Sequence, residues 1–131
     1  MRELTDHKVN PANDKLTIKV LDNPGAGGAN HAYEVTGADH KTNPSFPGQP
    51  IDSNTTAIVF QNGPIGENGV NGLTQEVLLA IVADRLRSFQ AGPFSTRENS
   101  IALTHVETAL LWLHKRTLNR MRRGVEGTHV A

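Results

Sequence analysis

A chain of 131 residues is long enough for one domain with a core of its own. Thirteen basic and thirteen acidic side chains balance, and the pI is near 7, so no global positive field exists to hold nucleic acid non-specifically; no DNA partner is expected. The lack of cysteine excludes disulfides and thiolate sites. No run approaches the roughly 20 apolar residues of a membrane span, and the polar start MRELTDHK has no signal-peptide core, so a cytosolic chain is expected.

The expected organisation is a single domain over residues 1–131: a β-rich part with loops over 14–72, a helical hairpin over 73–124, and a tail over 125–131. Met1 to Asp14 is polar, contains Pro11, and reads as a flexible or loosely docked lead-in. LTIKVL (Leu16 to Leu21) alternates apolar and polar residues as a half-buried strand does. DNPGAGGAN (Asp22 to Asn30) is a turn cluster before a second strand, HAYEV (His31 to Val35), and the two strands should form a hairpin. GAGGAN has neither the lysine nor the following helix of a phosphate-binding loop. Thr36 to Asn54, with Gly37, Pro44, Pro47, Gly48 and Pro50, reads as an irregular connection. Thr56 to Phe60 is the strongest strand candidate, rich in β-branched residues. The Asn- and Gly-rich stretch from Asn62 to Gly72 should make tight turns.

Leu73 to Gln90 reads as a helix that is apolar on almost every side between Val77 and Ala83. Such a helix lacks a solvent face and calls for burial, most simply inside an oligomer. AGPF (Ala91 to Phe94) breaks it, with Gly92 expected as a left-handed cap and Pro93 as a block to continuation. Ser95 or Thr96 should cap a second helix that runs to Gly124. On that helix Leu103, Val106, Leu110 and Leu113 form a packing seam, which continues into Thr117, Arg120 and Gly124. Arg116 and Arg120 share a face about 6 Å apart along the axis. Paired guanidinium groups on a rigid element suit an anion site. Basic residues at a helix C-terminus also simply complement the macrodipole, and Lys115, Arg116, Arg120, Arg122 and Arg123 fit that account too.

Three runs carry a resemblance: FQNGPIGENGVNG (Phe60 to Gly72), LLAIVADRLRSFQAGPFSTREN (Leu78 to Asn99) and ETALLWLHKRTLNRMRRGVEGT (Glu107 to Thr128). Together they are similar to the phage family of Thoeris anti-defence sponge proteins, whose helical hairpin is shared with sponges that block cyclic-oligonucleotide immunity. The match covers the C-terminal half closely and the strands more weakly. It implies a protein without catalytic residues, cofactor or metal, working in the cytoplasm of the infected bacterial host. Its partner would be an immune second messenger, a glycocyclic isomer of ADP-ribose made by a TIR-domain enzyme. Some members also bind cyclic di- or trinucleotides. The resemblance further implies a homohexamer, a trimer of dimers, with messenger pockets between protomers lined by Phe89, Asn99, Arg116 and Arg120.

The residue types suit those roles. Phe89 offers a stacking face for adenine, worth about 1–3 kcal/mol in nucleic-acid complexes. The Asn99 amide can donate and accept, and the two arginines bring fork-shaped cations for a pyrophosphate. The free N–H groups of the turn at Thr96 to Asn99 are a further anion-friendly feature. Singly, Phe89 reads rather as core and Asn99 as a first-turn helix residue; the four matches to one family together favour the site.

Other chemistries find less in the sequence. His105 and His114 are nine apart and no HExxH pattern occurs, so zinc is not expected. No nucleophile-elbow sequence is present, while Glu98 and Glu107 are the residues a messenger-degrading enzyme would use. A cyclic-oligonucleotide sponge, a nucleic-acid-binding regulator using the basic last helix, and a structural oligomer with interfacial arginines are the alternative readings. The fold class expected throughout is α+β: a small N-terminal antiparallel sheet followed by a long helical hairpin.

Overall fold

A computed structural model describes residues 2–45 and 54–130. The fold is α+β, an antiparallel sheet followed by long helices, and the chain divides into two compact units, 1–62 and 63–131. Residues 46–53, part of the expected irregular connection, lie outside the described residues.

The first unit is a four-stranded antiparallel meander of β1 (Glu3–Leu4), β2 (Thr17–Val20), β3 (Ala32–Thr36) and β4 (Thr55–Val59), in that spatial order. The expected hairpin of β2 and β3 is present, with Thr17 opposite Thr36 and Val20 opposite Tyr33. Its loop is stapled by Asp22, whose carboxylate accepts from the His31 and Ala32 backbone N–H groups at 2.9 and 3.2 Å. These bonds stabilise the charged form and hold the Asp22 pKa below the ordinary aspartate value, the His31 N–H being the largest cause. Val20 and His31 are buried, and Tyr33 meets Phe60 edge to face at 5.7 Å.

The lead-in corrects the sequence reading. Glu3 and Leu4 pair with Lys19 and Ile18, and α1 (Pro11–Asp14) forms one helical turn capped by the Asn10 side chain. His7 Nε2 donates to the Leu16 carbonyl at 2.6 Å, so this segment is bonded to the sheet rather than loose.

In the second unit α2 (Ile65–Asn68) is a single helical turn where only tight turns were expected. It precedes α3 (Gln75–Gln90) and α4 (Arg97–Arg122), which pack on each other. Thr74 Oγ1 caps α3 by accepting from Val77 N, and Thr96 Oγ1 caps α4 by accepting from Asn99 N at 3.0 Å. Gly92 is not a left-handed cap: α3 closes through Ala91 at φ −81°, and the Gln90 side chain accepts from Thr96 N, which turns the chain without a positive φ. Gly124, at φ +70°, does end α4 as expected.

The packing seam is where the periodicity put it. Leu103, Val106, Leu110, Leu113, Thr117 and Arg120 are half-buried while their neighbours on the outer face are exposed. Opposite them Ala83 of α3 is fully buried, flanked by half-buried Leu79 and Leu86. Arg87 reaches Glu107 across the pair at 3.0 Å. Within one chain this buries a single face of α3, and Val77, Ile81 and Val82 remain exposed.

Candidate functional site: a cationic face on the last helix

Arg116 and Arg120 meet on one face of α4, in a shallow concavity of about 370 Å³ lined also by Trp112, Lys115, Asn119 and Arg123. The spacing explains the grouping, because residues three and four apart stack along a helix. Trp112 and Asn119 were not singled out from sequence, though stepping by three and four from Arg116 reaches both. Trp112 is 61% exposed, and Lys115 Nζ lies 4.8 Å from its ring centroid. The face therefore combines an aromatic surface, an amide and several cations, the groups needed to hold a base and a phosphate side by side.

The two arginines differ in environment. Arg116 is exposed, whereas the Arg120 side chain is only 13% exposed and is wrapped by the chain's own tail. Arg120 Nε donates to Glu126 Oε2 at 3.0 Å, Nη1 to the Val130 carbonyl at 2.7 Å, and Nη2 to the carbonyls of Val125 and Thr128 at 2.9 and 3.3 Å. Four of its five N–H donors are thus engaged.

Phe89 and Asn99 stand at the other end of the hairpin. Phe89 is 38% exposed near the end of α3, with the Arg85 guanidinium 5.2 Å from its ring centroid. Asn99 lies in the first turn of α4, its backbone N–H taken by Thr96 and its side chain half-buried. At 1.5 Å of rise per residue, about 26 Å of helix separates Asn99 from Arg116. The structure brings the arginines together and leaves the aromatic and the amide apart from them within one chain.

A second concavity, of about 420 Å³, lies in the first unit against Arg2, Asp22, Asn23 and Asn30. It is the larger, but Arg2 is already bonded to Asn30 and Asp22 to the loop it staples, and none of the expected site residues lines it. Among the described residues no cluster of three metal-ligating side chains occurs, and no helix is long and apolar enough to cross a membrane.

A long helical hairpin with an exposed aromatic at its turn and a cationic face on its second helix defines a recognisable class. Residues 52–118 match the Acb2/Tad1 hairpin domain, and the chain belongs to that family, as the resemblance to Thoeris anti-defence sponges implied. The match includes Phe89, Asn99 and Arg116 and ends just short of Arg120. Over 72 residues the chain is 54% identical to Thoeris anti-defense 1 of Bacillus phage SBSphiJ7, a stretch making up 55% of this chain and 51% of that protein. The chain thus spans about half the length of this curated relative.

Proposed function

We propose that this protein is a phage anti-immune sponge that binds a glycocyclic isomer of ADP-ribose and holds it, unaltered, away from its effector in the cytoplasm of the infected bacterium. The observation that carries the reading is the family match across the hairpin that bears the cationic face, joined to the similarity to a phage protein named Thoeris anti-defense 1. Phe89 stacks on adenine, Asn99 reads a base edge or ribose hydroxyl, and Arg116 and Arg120 take the pyrophosphate. Affinity comes from enclosing a rigid cyclic ligand with little freedom to lose.

Because one chain keeps the two halves of this set far apart, each pocket joins the turn of one protomer to the arginines of another. The apolar surface left by Val77, Ile81 and Val82 on α3, and by Leu111, Leu118 and Met121 on α4, supports the self-association this requires, for which the family resemblance implies a trimer of dimers. Cyclic di- or trinucleotides are further ligands of the same chemistry, and the exposed Trp112 beside Lys115 supports a base-stacking contact for them.

Calorimetry with a glycocyclic ADP-ribose isomer, followed by heat denaturation and assay of the released compound, tests this directly. Intact ligand recovered from a tight complex is expected. A changed product would make the protein an enzyme and direct attention to Glu98 and Glu107, and failure to bind would remove the assignment. Arg116→Ala should weaken binding by about 1.5–3 kcal/mol, the value of a hydrogen bond to a charged group.

A further inference from the structure

The tail that wraps Arg120 occupies the donors that the proposed site needs. After Gly124 the chain turns back, Val125 N bonds to the Arg120 carbonyl at 3.0 Å, and residues 125–130 fill the guanidinium with one carboxylate and three carbonyls. No phosphate can take two of those N–H groups while the tail is seated. The tail is lightly held elsewhere: Gly66 N donates to the Gly127 carbonyl at 2.9 Å, and His129 Nδ1 lies 3.3 Å from Glu67 in an exposed pair. Gly127 sits so close to Ile65 that a β-carbon there would come within 2.9 Å of its side chain, so the tail has a fixed seat. Yet Val130 is 46% exposed, and little apolar surface holds the strap down.

We infer that residues 125–130 are an exchangeable strap over Arg120, in which the Glu126 carboxylate stands where an anionic group of the ligand will stand. The inference rests on the assignment of Arg120 to the messenger site. Carboxylate and phosphate oxygens both accept in the plane of the guanidinium, so each can replace the other at Nε. A pyrophosphate brings two charges against the single charge of Glu126 and also meets the exposed Arg116. The exchange therefore favours pyrophosphate ligands and disfavours singly charged nucleotides, and Glu126 becomes the residue that sets this selectivity.

The test follows amide hydrogen exchange in the full chain while inorganic pyrophosphate is titrated at constant ionic strength. Pyrophosphate should saturably accelerate exchange at Val125, Thr128 and Val130 and leave α3 unchanged. Glu126→Gln should lower the half-saturating concentration about threefold, as expected for a partly exposed ion pair. No acceleration at saturating pyrophosphate, an equal response to chloride, or an unchanged midpoint in Glu126→Gln would each overturn the strap. The messenger separates this result from the assigned ligand. If pyrophosphate releases the tail of a protein that ignores every cyclic ADP-ribose isomer, the strap stands and the ligand falls. If a messenger binds tightly with tail protection unchanged, the ligand stands and the strap falls.

Discussion

Replacing Arg120 with alanine removes a side chain that is mostly buried yet makes its bonds to a surface tail. Two methylene groups beyond Cβ lose their burial, at about 0.8 kcal/mol each. The pair with Glu126, whose side chain is 35% exposed, adds about half a kcal/mol after solvent screening. The three carbonyls of Val125, Thr128 and Val130 lie at the surface and regain water, so their loss adds little net. The tail should open more easily by about 2 kcal/mol, a rise of roughly 30-fold in its opening equilibrium. Native-state hydrogen exchange at Val125 and Thr128 reads that factor directly, while the amides of α3 serve as an internal standard. Arg120→Lys should recover less than half of the loss, because an ammonium cannot reach Glu126, Val125 and Val130 together from one position. A change below threefold in Arg120→Ala would show that the tail is held by Gly127 and His129 instead, and would refute the clamp.

Three further outcomes test the frame around the site. Thr96→Ala should cost the hairpin about 1 kcal/mol by removing the oxygen that accepts from Asn99 N, measured by urea denaturation; an unchanged midpoint would show that the cap contributes nothing. Gly37→Ala should cost the sheet unit about 1–3 kcal/mol for its φ of +106° alone, and more because the new β-carbon would run into the Lys15 carbonyl; a melting temperature equal to wild type would contradict that geometry. Asp22 has a depressed pKa in the folded chain, so its contribution to stability is complete above the ordinary aspartate value and disappears as the pH falls through the lower folded value. Asp22→Asn should flatten that acid limb in a pH series of melts, and an unaltered limb would assign it to other carboxylates.

The hairpin was legible because its signal is periodic. The seam from Leu103 to Arg120 repeats at the helical period over many turns, and the structure half-buries each of its members. Strand alternation in Thr17–Val20 and the β-branched run in Thr55–Val59 were equally readable. Glu3 and Leu4 were not, because two residues carry no period and become a strand only by pairing with Lys19 and Ile18. At the turn, Gly92 drew the expectation of a left-handed cap, but the Gln90 side chain made that conformation unnecessary. Within the candidate site, the grouping of Arg116 with Arg120 follows from their spacing, and so does the place of Trp112. The occupation of Arg120 by Glu126 does not, since it arises from a reversal after Gly124 that brings together side chains with no periodic relation.

The length of α4 bears on how such a protein would respond to dilution. In the proposed pocket, a ligand that touches Asn99 of one chain and Arg116 of another would bridge two molecules and bind neither half strongly alone. Ligand uptake and chain association are then thermodynamically linked, each tightening the other by the same factor. At concentrations where chains separate, capacity for the ligand falls faster than in proportion to protein, and added ligand draws the chains back together. Under the proposed function, a messenger would therefore promote assembly of the complex that holds it when copies of the protein are few.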